Sequence, residues 1–99
     1  MRRKMRINVS IPKWFTFNEK ELSSRFEECL KKVEETPGAM RTVIGERVPY
    51  RGMFKYRNSV YVEAETYSKV EKLALHAGVG MAEITFRIFT MGENLGKEL

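Results

Sequence analysis

Polar and apolar residues alternate over residues 7–12, with Ile7, Val9 and Ile11 on one side and Asn8 and Ser10 on the other. This predicts a half-buried strand, and Pro12 ends it or confines it to a sheet edge. The period then lengthens. Leu22, Phe26, Cys29, Leu30 and Val33 form one helical stripe. Asn18 suits the N-cap, Glu21 completes a capping box, and Phe17 with Leu22 makes a hydrophobic staple. Glu19 and Glu21 near the start, with Lys31 and Lys32 toward the end, favour the helix dipole. Thr36-Pro37-Gly38 breaks the pattern. Pro37 after a Thr36 cap predicts a short helix from Gly38 to Ile44, ended by Gly45. Val48 to Gly52 reads as a turn.

Alternation returns at Ser59 to Glu63, with Val60 and Val62 on one face and Ser59, Tyr61 and Glu63 on the other. Met53 to Arg57 can extend this strand. A helical stripe follows through Tyr67, Val70, Ala74 and Ala77, and Gly78 suits a left-handed residue just past the helix end. The last stripe is Met81, Ile84, Ile88, Met91 and Leu95. Phe86 and Phe89 fall off it, so this helix is apolar over much of its circumference. That points to the centre of an assembly.

The order strand, helix, break, short helix over residues 5–45 matches that of the second half. Two such units in one chain could mimic a dimer. The halves align poorly as sequences, and coincidence is the reading adopted on that ground.

Residues 57–92 resemble the ribbon–helix–helix DNA-binding family. The strand SVYVE, the run Val70-Glu71-Lys72-Leu73-Ala74, the turn at Gly78, and Ala82-Glu83-Ile84 opening the second helix carry the resemblance. One departure is Gly80, where the family usually has a capping Ser or Thr. The resemblance implies a mainly α fold with short β, an α+β class, built as a ribbon–helix–helix dimer core over residues 53–99. Residues 1–52 would be an N-terminal strand–helix extension of the same single domain. Two chains would pair their strands into an antiparallel ribbon that enters the major groove of double-stranded DNA. Strand alternation assigns Arg57, Ser59 and Tyr61 to base contacts. Gly80 and Met81 would offer backbone amides to a phosphate, while Arg2, Arg3, Lys4, Arg51 and Lys55 would meet the phosphate backbone.

Composition changes this picture little. The chain has 99 residues, a net charge of +5 and 31% charged side chains, which fits one soluble globular domain. The excess is N-terminal, with 11 basic and 7 acidic residues over 1–50 against 7 and 6 over 51–99. A basic chain favours polyanions. Cys29 and His76 are the only residues of their kinds, so neither an intrachain disulfide nor a metal site is readable. The apolar run that a signal peptide needs after Arg2-Arg3-Lys4 is missing, and no run reaches membrane-spanning length. A cytoplasmic protein is expected, of the compact kind that archaea, viruses and plasmids encode.

No phosphate loop, Cys/His cluster or catalytic triad is apparent, so no enzyme, catalytic residue, cofactor or small-molecule ligand is expected. Cys29, on an apolar stripe, reads as a buried hydrophobe rather than a reactive thiol. The expected function is sequence-specific DNA binding by a homodimer, as a transcriptional regulator. The alternative is a protein-interaction or structural module, such as a viral one, that uses a similar dimer without reading DNA. A third reading has Trp14, Phe15 and Tyr61 stacking on RNA bases.

Overall fold

The computed structural model describes residues 4–12, 19–45 and 55–97, with side chains at 4–9, 21–45 and 59–95. Its elements are β1 (Lys4–Pro12), α1 (Glu19–Glu35), α2 (Ala39–Gly45), β2 (Lys55–Glu63), α3 (Ala64–Ala77) and α4 (Met81–Lys97). Among the described residues, four helices with a two-stranded antiparallel sheet place the chain in the α+β class, as expected.

The sheet corrects one expectation. β2 was expected to pair with its copy in a second chain, and it pairs instead with β1 of its own chain, Lys4 opposite Glu63 through Pro12 opposite Lys55. Residues 4–45 are therefore no extension. They supply one strand of the ribbon and two helices, in the same order as residues 55–97. The two-unit organisation, set aside as coincidence on sequence alone, is the architecture. Aligning the strands end to end brings out what whole-unit alignment hid. Lys4 matches Lys55, Arg6 matches Arg57 and Val9 matches Val60, with Asn8 against Ser59 and Ile11 against Val62. Asn8 also stands opposite Ser59 in the ribbon. The centre of the pairing is thus the point about which a two-fold rotation would exchange the strands.

Directly opposite residues share a face. Ile7, Val9, Val60 and Val62 are buried, so this face is the inner one, and it rests on the helices. An isolated two-stranded ribbon is marginal in water; here α1, α3 and α4 all contact the strands. The outer edge of β2 is tied to α1, since the Tyr61 amide donates to Ser23 Oγ at 2.9 Å. That satisfies an edge donor that would otherwise invite further strands.

Helix α4 is the centre of the domain. Every residue from Ile84 to Phe89 is buried, because α1, α2, α3 and β1 surround it. The apolar circumference that suggested an assembly centre is covered by the chain's own elements. Against α1, Phe26 and Phe89 meet with ring centroids 5.2 Å apart at 57°. Such tilted pairs add about 1 kcal/mol beyond area burial. One turn on, the helices come closer still. A Cβ built on Gly92 would lie 2.4 Å from Cys29 Cβ and 2.6 Å from Cys29 Cα. Only glycine fits this crossing. Beside it Arg25 Nε donates to Glu93 Oε1 at 2.9 Å, a partly exposed pair worth under about 1 kcal/mol.

Gly78 adopts φ 71° and ψ 32°, as expected. Its amide bonds the Leu75 carbonyl, and the Val79 amide bonds that of Ala74, which closes α3 in a Schellman arrangement. The first unit breaks differently from expectation. Thr36 does not cap α2; its hydroxyl donates back to the Lys32 carbonyl at 2.7 Å. Gly38, at φ 82°, precedes α2, which begins at Ala39. Leu22 of the expected staple is fully buried, whereas Phe17 and Asn18 lie outside the described residues.

Burial pushes the Cys29 thiol from its ordinary 9.0 up to about 12, and neighbouring Glu93 adds to the rise. A raised acid pKa stabilises the folded state fully below the ordinary value, and that contribution is lost as pH climbs from 9.0 toward about 12. Two outcomes follow. Cys29 should resist a thiol reagent at pH 8 and react at once in denaturant; equal rates in both would show the thiol is open. Gly92→Ala should lower unfolding free energy by roughly 1–3 kcal/mol in a urea titration, overpacking outweighing alanine's helix preference of about 1 kcal/mol.

Candidate nucleic-acid interface

The outward face of the ribbon carries Lys4, Arg6 and Asn8 from β1, facing Glu63, Tyr61 and Ser59 of β2 in that order. Alternation puts them there, because Ile7, Val60 and Val62 take the positions between for the core. Lys4, Arg6 and Asn8 are exposed; Ser59, Tyr61 and Glu63 are half-buried. The N-terminal strand lies beside β2, not over it, so the face stays open where described. Ser59 Oγ donates to Asn8 Oδ1 at 3.3 Å across the middle of the ribbon. Glu63 sits opposite Lys4, so a cation offsets the one acidic group on this face.

The expected base-contact residues fall together on β2. Ser59 and Tyr61 share the outward face, and Arg57 has the same strand parity, opposite Ser10. The Arg57 side chain lies outside the described ones. The expected phosphate contacts scatter. Lys4 and Lys55 begin the two strands and therefore mark opposite ends of the ribbon, roughly 26 Å apart at about 3.3 Å per residue. Arg2, Arg3 and Arg51 lie outside the described residues, as do Trp14 and Phe15 of the RNA reading. At the start of α4 the Gly80 carbonyl accepts the Ile84 amide at 3.1 Å, so Gly80 is the N-cap. Gly80 is exposed and Met81 half-buried. Glu83 in this first turn puts negative charge where an incoming phosphate would sit.

Glu83 is engaged elsewhere. It accepts from Arg87 Nη2 at 2.8 Å. Arg87 is buried, and its Nη1 donates to the carbonyls of Val43 and Ile44 at 2.9 and 3.2 Å. This cation holds the negative end of α2 against α4 and is lost to the surface. Sequence reasoning had no role for it. It also passed over Arg6 and Asn8 as face-mates of Ser59 and Tyr61. The available signal was the match of Lys4, Arg6 and Val9 to Lys55, Arg57 and Val60.

Between α2 and α3 lies a groove of about 330 Å³, lined by Met40, Ile44 and Leu73 with Lys69, Lys72 and His76 at its rim. Lys69 reaches Glu34 at 3.4 Å across its mouth. His76 is exposed in the last turn of α3.

No family model, curated protein or solved structure matches the chain. Among the described residues, no helix is long and apolar enough to cross a membrane.

Arg87→Met should cost about 3 kcal/mol in denaturant unfolding, since Glu83 and two helix-end carbonyls lose their partner. A change under about 0.5 kcal/mol would mean the buried guanidinium is replaceable by packing alone.

Proposed function

We propose that the protein binds double-stranded DNA by laying the outward face of its β1–β2 ribbon in the major groove, as a transcriptional regulator does. The observation that carries this reading is a polar outward face of a two-stranded ribbon, with Arg6, Asn8, Ser59 and Tyr61 side by side and a packed core behind. The major groove is about 12 Å wide and admits such a ribbon. Its base edges offer what these side chains recognise. A guanidinium pairs with two acceptors of guanine, Ser bonds several bases, and Tyr donates to an acceptor or packs on a thymine methyl. Lys4 and Lys55 would anchor the ribbon ends on phosphates, and the amides at Gly80 and Met81 would add a contact along the helix axis.

The homodimer was expected because one strand needs a partner. Here β1 meets that need, so the proposed binding unit is one chain for one stretch of groove. The groove beneath Met40, Ile44 and Leu73 favours a second reading, a protein-interaction module without DNA readout.

The deciding measurement is titration against duplex DNA at several salt concentrations, beside mass in solution. Four ribbon cations at phosphates or guanines predict a log–log salt slope of roughly −3 to −4. Arg57→Ala and Tyr61→Ala should weaken binding to a selected site about tenfold or more, with a smaller loss on random duplex. Absence of salt-dependent binding would leave the interaction-module reading standing instead.

A further inference from the structure

This inference rests on the DNA-binding reading and specifies the site. Both strands have nine residues and share the pattern Lys-x-Arg-x-(Asn/Ser)-Val-x-(Ile/Val). The register places Arg6 two residues before the central Asn8–Ser59 pair on β1, and Arg57 two residues before it on β2. Repeat and register therefore share one centre. A two-fold rotation through that pair carries Arg6 onto the position of Arg57 and Lys4 onto that of Lys55.

We propose that β1 is a second reading strand, with Arg6 and Asn8 as specificity-determining residues, and that one chain recognises an imperfect inverted repeat within a single major groove. The outer positions are alike. Arg6 and Arg57 each favour guanine, on opposite DNA strands. They lie four residues apart along the ribbon, about 13 Å at 3.3 Å per residue, or roughly four base steps at 3.4 Å each. The centre is unlike. The hydrogen bond from Ser59 Oγ to Asn8 Oδ1 fixes which way the Asn8 amide points. Its Nδ2 remains a donor, and Oδ1 keeps a second lone pair. A donor beside an acceptor matches the adenine edge, which offers an N7 acceptor and an N6 donor. Ser59 directs its hydroxyl proton at Asn8, and a serine and an asparagine at the two central positions present different groups to the base edges. The two halves flanking the centre cannot demand the same base. Beyond the centre the strands diverge further, Tyr61 standing where the rotation would put Ser10, and Glu63 where it would put Pro12.

The test is enrichment of bound duplexes from a randomised pool by the full-length chain, repeated with Arg6→Ala, Asn8→Ser and Ser59→Ala. An exposed cation on α1, Lys32→Ala, serves as control. The expected motif has guanines on opposite strands about four steps apart around an asymmetric centre. Arg6→Ala should relax one outer guanine by roughly ten- to a hundredfold while the other persists. Asn8→Ser should make the centre symmetric, and Lys32→Ala should leave the motif unchanged. A motif that survives Arg6→Ala and Asn8→Ser intact overturns this inference alone, since DNA binding continues without β1 readout. A perfect palindrome bound by two chains also overturns it. No enrichment from any pool overturns the DNA-binding reading itself, and this proposal with it.

Discussion

The antiparallel pairing of β1 with β2 inside one chain is the constraint on which the rest depends. It brings residues about 50 positions apart into register, with Ile7 opposite Val60. Closing so long a loop costs entropy, and the cost rises only slowly with its length. The return is a continuous inner face of Ile7, Val9, Val60 and Val62 that α1, α3 and α4 can cover. Without β1 the second unit would expose a strand edge and the flank of α4. Without β2, α1 would lose the surface on which it lies, including the Tyr61 amide that Ser23 satisfies.

Once the ribbon is closed, α4 has nowhere to go but the centre. Its six consecutive buried residues include Arg87 and Thr85, polar groups that a surface helix would turn outward. Arg87 is accommodated because α2 ends there and presents carbonyls at its negative pole. The short α2 and the long α4 are thus matched opposites. The first unit contributes a helix end, and the second contributes the cation that meets it. The close crossing of α1 and α4 at Cys29 and Gly92 is the other place where the units fit by shape rather than by symmetry.

Much of this was legible in local pattern. The strand at Val60 and Val62, the stripe on α1, and the left-handed Gly78 follow from periodicity and turn chemistry, which act over a few residues. Pairing partner was not legible, because strand alternation says which face is buried but not what lies alongside. The apolar breadth of α4 correctly signalled a central helix and wrongly suggested that another chain covers it. Thr36 was misplaced because a threonine before a proline can serve either the helix behind or the helix ahead, and its hydroxyl chose the Lys32 carbonyl. The ribbon face was half visible. Ser59 and Tyr61 came from alternation in β2, while Arg6 and Asn8 joined them only once the register was known.

Joining both strands in one polypeptide also changes how the fold answers to concentration and to mutation. Pairing between separate chains fails on dilution and can be scrambled by exchange with a variant copy. Pairing within a chain does neither. A substitution in a two-chain ribbon appears twice, once on each side of the axis. In this chain a change at Asn8 leaves Ser59 as it was. Each strand can therefore be altered on its own, so the two need not match, as Ser10 and Tyr61 at equivalent strand positions do not.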